Sequence, residues 1–573
     1  MVTNSRGPRE SATTLLEPLA ALLLLATLAA QMVTAMGATS AVVDEPAHLT
    51  SGYIALTQGD LRVNREHPPL LKLLAALPLL PLHPVMPPDP PAAAPRGSED
   101  YEFDVSRRFL YQANDADRLL FDARLAIVAL TLLTGLILYL WGRALLGTLP
   151  ALGALAMLVF EPNILAHGRL VTTDMGATLF TLATIACLER ALTARQSPFG
   201  FWWVLTGLSL GLGLLSRFSC GLLIPIIALI AALTGRQRPV IKLSGLAVAL
   251  AVALLVVNIG YGLGNGRLTL FPLAADPVCG PLATEPFVSM AASPIARFTP
   301  LPIPRLFLEG IDLARWKNSH VEGPGYLNGV ISKDGWWSWY VLALAMKTTI
   351  PLLVLSLTGL GLLMLSARTA GSGRLAVILA PCAGLLILVT VLTRAQIGLR
   401  YILPVFPFLC LAAGFALGEM KRLSPRLALA LAAPLLGWHA WAALSVHPYH
   451  LAYFNEAAGG PGGGYRHLVD SNLDWGQDLV GLRQFMTRQS IARIHLFYFG
   501  TADPAWYGIE RATQGEPGYF AVSATHLAGV YLPDPGYLAP FREMAPAATI
   551  GHSIFVYRLD TYPSFLKTPI RRK

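Results

Sequence analysis

Apolar runs of roughly 18 to 25 residues recur along this chain, at 19–43, 125–146 and 243–261 among others, and each is long enough to cross a hydrocarbon core of about 30 Å as a helix. An unpaired backbone is prohibitive in lipid, so helices are the spanning structure to expect. Composition agrees: of 573 residues, 54% are hydrophobic and 13% charged, and the mean hydropathy is +0.53, outside the range of soluble globular chains. The hydrophobic pattern predicts helices at about 17–42, 123–146, 149–165, 172–189, 201–216, 219–234, 241–263, 338–366, 375–393, 400–418 and 426–445. Arg6 and Arg9 ahead of an apolar stretch also resemble a signal peptide, but the stretch continues to Val43, which favours a retained span.

Eleven crossings from a cytoplasmic N-terminus put the C-terminus outside. The charges support that orientation: Arg143, Arg190 with Arg195, Arg236 with Arg238 and Lys242, Arg368 with Arg374, and Lys421 with Arg422 and Arg426 fall in connections on the inner side. This scattering in short connections also explains the net charge of +9 and excludes a nucleic-acid partner, which needs a gathered basic patch. Arg217, Arg267, Arg394 and Arg400 run against the bias, on the outer side, and call for another cause. The five cysteines, Cys187, Cys220, Cys279, Cys382 and Cys410, lack metal-like spacing and read as small buried hydrophobes.

Three outer segments exceed simple turns. The first, 44–118, carries an interfacial helix near 68–82 and a Pro-rich stretch, 84–95; the second spans 265–337; the third is the tail, 446–573. Strand-like runs at 494–499 and 554–557 and a helical stretch at 477–487 predict a small extracytoplasmic α/β domain in the tail, beyond a transmembrane domain over 1–445.

Chemistry-bearing residues collect at outer helix ends. Asp44 and Glu45 follow the first apolar run, where a carboxylate is costly to desolvate; they read either as a general base with its neighbour or as a solvated acidic helix end. His67, with Arg65 and Lys72 around it, can hold a lipid phosphate at headgroup level or form a solvated loop. Asp174, in His167-Gly168-Arg169-Leu170-Val171-Thr172-Thr173-Asp174, begins an apolar helix, where capping is the competing role. Asp470 to Asp478, with Trp475 among them, reads first as turn and helix-start residues around a packing tryptophan, with sugar or cation binding second.

The Asp-Glu pair, His67-Pro68-Pro69-Leu70, the acid at 174 and Arg400-Tyr401-Ile402-Leu403-Pro404 together resemble glycosyltransferase family 39, which holds protein O-mannosyltransferases and bacterial lipid A aminoarabinose transferases of the C-type glycosyltransferase fold. Tyr326-Leu327-Asn328-Gly329, Lys347-Thr348-Thr349-Ile350-Pro351, Tyr453-Phe454-Asn455-Glu456 and Asp474-Trp475-Gly476-Gln477-Asp478 resemble bacterial members, so the likeness touches nearly the whole chain in order.

The resemblance implies a bacterial inner-membrane enzyme that moves a sugar from a polyprenyl-phosphate carrier to a protein, lipid or glycan hydroxyl at the outer face, in one inverting displacement. Asp44 is then the base, Glu45 its neighbour and Asp174 the supporting acid. His67 stands where the aminoarabinose transferases have a lysine; a histidine there can be neutral near pH 7, so phosphate binding falls mainly to Arg400, with Arg217, Lys347 and Arg394 behind it. No cofactor is required by the sequence, and a divalent metal is an open alternative. A transporter or flippase of a lipid-linked sugar is the rival reading, but it calls for mid-membrane polar residues and inverted repeats.

Overall fold

The computed structural model describes residues 8–89, 98–194, 197, 199–234, 237–262, 268–270, 289, 300–319, 325–370 and 373–566. Arg195, Arg236, Arg267, Cys279, the latter half of the Pro-rich stretch 84–95 and much of the second outer segment, 265–337, lie outside the described residues.

The eleven segments expected to cross are all helical. They are α1 (Pro8–Met36), α5 (Ala116–Leu146), α6 (Thr148–Val159), α8 (Asp174–Thr193), α9 (Phe201–Ser216), α10 (Leu223–Leu233), α11 (Pro239–Gly262), α14 (Ile350–Ala370), α15 (Gly373–Leu392), α16 (Phe406–Leu423) and α17 (Pro425–Ser445). Among the described residues eight segments are long and apolar enough to cross a membrane by themselves, while α6, α9 and α10 are shorter. Proline and glycine set many of the boundaries: Gly147, with φ 98°, separates α5 from α6, and Pro239 and Pro425 open α11 and α17. Two glycines allow close helix approach, because a Cβ on Gly359 would lie 1.8 Å from Ala412 O and one on Gly414 would lie 2.1 Å from Pro150 O.

Three expectations need correcting in detail. The first helix ends at Met36 rather than near 42, so Asp44 and Glu45 sit after a non-helical loop, 37–43, and Asp44 precedes a separate helix, α2 (Glu45–Gln58), with Pro46 in its first turn. The segment read as 149–165 is α6 followed, after Glu161, by the short α7 (Pro162–His167). The segment read as 338–366 breaks at Thr348 into α13 (Trp339–Lys347) and α14. The interfacial stretch after His67 is α3 (Leu70–Ala76), continued by a 3-10 turn to Leu82, and α4 (Glu99–Arg107) completes the first outer segment.

Of the second outer segment the structure describes a strand pair, β1 (Leu268–Leu270) and β2 (Pro300–Pro304), then α12 (Arg305–Ser319) and a hairpin of β3 (Gly325–Leu327) and β4 (Val330–Ser332). The tail folds around a five-stranded sheet of β5 (Arg493–Phe497), β6 (Glu510–Arg511), β7 (Gly518–Ser523), β8 (Ala548–Ile550) and β9 (Ile554–Leu559) in the order β6-β5-β7-β9-β8. β5 runs parallel to β6 and β7, the other pairings are antiparallel, and α18 (Leu479–Arg488) packs beside the sheet.

Buried ion pairing fixes the loop after α1. Arg124, near the start of α5, makes a two-pronged pair with Glu45 (Nε to Oε1 2.8 Å, Nη2 to Oε2 2.6 Å) and donates to the carbonyls of Met36, Thr39 and Ser40. Glu45 also accepts the amides of Val42 and Val171, so both of its oxygens are satisfied with no exposure. Arg169 adds bonds to Ala35 O, Thr39 Oγ1 and Pro448 O.

The tail clasps the same loop from outside. Ser40 N donates to Gln477 O at 2.9 Å, Val43 N to Trp475 O at 3.0 Å, and Thr501 Oγ1 to Val43 O at 2.7 Å. Behind these contacts stand three buried acids: burial pushes the carboxyl groups of Asp470, Asp474 and Asp478 up to about 6, about 7 and about 8.

Two outcomes are expected. Arg124→Met strands the Glu45 carboxylate in a dry site and should cost about 3–5 kcal/mol of stability, with partial recovery in the Arg124→Met, Glu45→Gln double variant, read by thermal unfolding in detergent. For the tail acids, a carboxyl whose folded pKa exceeds its unfolded value of roughly 4 stabilises the fold fully below that pH and loses this contribution as pH rises through the folded value. Asp478→Asn, which keeps an acceptor for Ser553 but has no proton to lose, should therefore melt higher than the parent above about pH 8 and close to it below about pH 4.

Candidate active site

Asp44, Asp174, Arg217 and Arg400 come together from four separate parts of the chain. Asp44 occupies the cap position of α2 but caps nothing; its Oδ2 lies 3.0 Å from Arg400 Nη1. Asp174, the acidic residue in the first turn of α8, pairs with the Arg217 guanidinium, while its Oδ2 lies 3.8 Å from Arg400 Nη1. Two acids and two arginines thus alternate, with Arg400 shared between both acids. Asp174 keeps the first-turn position that favours a carboxylate at a helix N-terminus, and its two arginine contacts come in addition to that role.

Local chain features put these groups here. Arg217 follows the end of α9 in extended backbone, and Arg400 lies in the 3-10 turn Leu399–Val405 that leads into α16, so neither side chain is confined to a lipid-facing helix surface. Tyr401 lies beneath both cations, its ring centroid 4.5 Å from the Arg217 guanidinium carbon and 5.5 Å from that of Arg400. The other aromatic contact to Arg400 comes from the tail, where the Trp475 ring lies 4.2 Å away.

Access separates the acids. The Asp44 side chain is 21% exposed, whereas Asp174 and Glu45 are at 0%. Glu45, expected as a neighbour to the base, is wholly engaged by Arg124 and two backbone amides, and its effect on the site is to hold Asp44 in place.

The histidines contribute shape more than charge. His48 Nδ1 donates to Val171 O at 2.8 Å, and the His67 ring meets it edge-on at 4.8 Å between centroids. Burial lowers the pKa of both imidazoles, His67 well below the ordinary range, so His67 is neutral at pH 7. His67 lines a recess with Arg65, Lys72, Pro69, Leu61, Tyr261 and Leu306. Positive charge in this recess comes from its lysine and arginine.

Two expected phosphate ligands lie elsewhere. Lys347 is buried with its Nζ donating to Leu451 O at 2.7 Å and Asn472 O at 2.5 Å, where it anchors the tail at the end of α13. Arg394 is exposed and takes no part in the buried group; its backbone N–H donates to Asn318 Oδ1 at 3.0 Å. Among the described residues no group of three or more His, Cys, Asp or Glu is placed to hold a metal ion.

Sequence reasoning passed over two participants, Arg124 and Tyr401, and read a third, Trp475, first as packing with sugar or cation binding second. Arg124 was signalled by a charge inside an apolar run, Tyr401 by its place next to Arg400, and Trp475 by an acidic, glycine-containing turn read mainly as packing. Trp475 does pack, with Val42, Ala166, Leu170 and Leu451, yet its ring also faces the central arginine.

Residues 116–261, a quarter of the chain that includes Arg124, Asp174 and Arg217, match the family described as dolichyl-phosphate-mannose-protein mannosyltransferase. Among solved structures, ArnT from Cupriavidus metallidurans bound to undecaprenyl phosphate covers 93% of this chain and 97% of its own, at 13% identity and a TM-score of 0.50. The apo state of ArnT covers 95% and 98% at 12% identity and a TM-score of 0.46. Oligosaccharyltransferase AglB from Archaeoglobus fulgidus, in complex with an inhibitory peptide and a dolichol-phosphate, covers 74% and 55% at 12% identity and a TM-score of 0.47. Comparison with curated protein sequences gives no match. The chain thus shares the fold of the solved ArnT structure over nearly its whole length, and its residues 116–261 match the dolichyl-phosphate-mannose-protein mannosyltransferase family.

Proposed function

We propose that this protein transfers a sugar from a polyprenyl-phosphate carrier to an acceptor hydroxyl of a protein, lipid or glycan at the outer face of a bacterial inner membrane. The observation that carries the reading is the pairing of one reachable carboxylate, Asp44, with a buried arginine that still has donors to offer. Arg400 Nη1 is taken by Asp44, while its buried Nε has no hydrogen-bond partner. A phosphate oxygen is the kind of acceptor that such an N–H requires.

The reaction follows from these parts. The acceptor oxygen attacks the anomeric carbon as the bond from that carbon to the phosphate oxygen breaks. The phosphate leaves with the electron pair, and the acceptor proton passes to Asp44. Arg400 balances the charge that builds on the leaving phosphate, in a site already shielded from water. Asp174, held by Arg217, keeps Arg400 from turning away. With Asp174 and Glu45 both closed off and engaged, Asp44 is the reachable acid among the three, which suits a single displacement with inversion better than a two-step route through a covalent sugar.

His67, Lys72 and Arg65 lie in a recess beside this centre and suit the carrier's phosphate as it enters from the lipid, with Lys72 and Arg65 providing the charge that neutral His67 lacks. The similarity in fold to an ArnT structure that holds undecaprenyl phosphate supports a lipid-phosphate donor. A transporter has less support, because the buried charges join across outer helix ends and do not line a mid-membrane path.

The test is transfer from a panel of polyprenyl-phosphate sugars to an acceptor-containing membrane extract, with loss of sugar from each carrier followed by mass spectrometry. One carrier should be consumed, and Asp44→Asn should slow its consumption by about 100-fold or more while the protein inserts and melts as the parent does. Full activity in Asp44→Asn removes Asp44 from the role of base, and no consumption of any carrier by the parent counts against the transferase reading as a whole.

A further inference from the structure

The tail's Trp475 touches both halves of the Asp44–Arg400 pair. Its carbonyl accepts the amide of Val43, the residue before Asp44, at 3.0 Å, and its ring lies 4.2 Å from the Arg400 guanidinium. The ring also meets His167 edge-on at 6.1 Å, at the turn that leads to Asp174. Trp475 itself is held in place, since its backbone amide donates to Gln477 Oε1 at 2.9 Å and the residue is 2% exposed. The flanking turn is tied to the arginine segment as well: Asn472 Oδ1 accepts from Leu399 N at 2.9 Å, and Ser471 Oγ donates to Ile397 O at 2.9 Å.

We infer that Trp475 is a positioning residue for the transfer reaction, setting the placement of Arg400 against Asp44, so that the tail completes the site that binds the lipid phosphate. A flat guanidinium between two carboxylates can pivot toward either. An aromatic face on it removes that freedom while consuming none of its N–H donors, leaving them for a phosphate. A hydrogen-bonding side chain in the same place would compete with the ligand, and an aliphatic one would leave the cation without an electrostatic partner on that face. The main-chain bond to Val43 moves Asp44 in register with the same residue, which a separate recognition module would not do.

This inference rests on the reading of Arg400 as the phosphate partner, and the experiment separates the two. Binding of undecaprenyl phosphate to the purified full chain in detergent is measured for Trp475→Leu, Trp475→Phe, Arg400→Met and the Trp475→Leu, Arg400→Met double variant, each with its melting temperature. Trp475→Leu should weaken binding by about tenfold at an unchanged melting temperature, and Trp475→Phe, which keeps a π face, should recover most of it. In the Arg400→Met background the leucine substitution should have no further effect, because Trp475 acts through the arginine.

If Arg400→Met weakens binding and Trp475→Leu does not, the positioning role is overturned while the phosphate role stands. If Arg400→Met binds as the parent does, the phosphate role falls and the inference with it. Should Trp475→Leu fail to fold, Trp475→Met, which also lacks a π face, carries the same decision: binding weakened by about tenfold, with no further effect in the Arg400→Met background, supports the positioning role, and affinity equal to the parent overturns it.

Discussion

Glu45 is fully buried, and a carboxylate in that position must be met by fixed donors or give up its charge. Arg124 meets it with two guanidinium bonds and uses its remaining donors on the carbonyls of Met36, Thr39 and Ser40. The pair therefore fastens α5 to the end of α1, the loop 37–43 and the start of α2 at once. Through the amide of Val171 it reaches the turn before Asp174 as well. Much of the site depends on this contact, because the loop it holds carries Asp44.

The second constraint is charge sharing at the helix ends around Arg400. Asp44 and Asp174 both approach Arg400, and Arg217 takes the other side of Asp174. Such a chain of alternating charges is costly to desolvate and stable only when its geometry is tight, which accounts for the aromatic floor of Tyr401 and the aromatic wall of Trp475. Exposure divides the three acids without any difference in chemical class: Asp44 is reachable, whereas Glu45 and Asp174 are fully buried.

The tail is bound to the membrane-embedded part through main-chain contacts more than through charge. Residues 470–479 are tied to the loop at 40–43, to the turn at 397–400 and to Lys347 at the end of α13. Lys347 lies with the tail turn, where its Nζ donates to the carbonyls of Leu451 and Asn472 and holds two parts of that turn in place.

Periodic and compositional features are legible in the amino-acid order alone. Apolar runs of spanning length, a short helix after Pro69 and β-branched runs in the tail each follow from nearest-neighbour chemistry, and the corresponding helices and strands appear where the sequence placed them. Asp44, Asp174, Arg217 and Arg400 stand out too, because charge at a membrane boundary is costly enough to demand a reason. Their roles do not follow. Whether Glu45 or Asp44 is reachable, whether Asp174 serves a helix end alone or also pairs with Arg217, and whether Trp475 packs or steers an arginine depend on partners up to several hundred residues away. A sequence determines which groups are expensive to bury; only the tertiary structure decides which partner meets that cost, because the energy of a buried charge is set by the few ångströms around it and not by its neighbours along the chain.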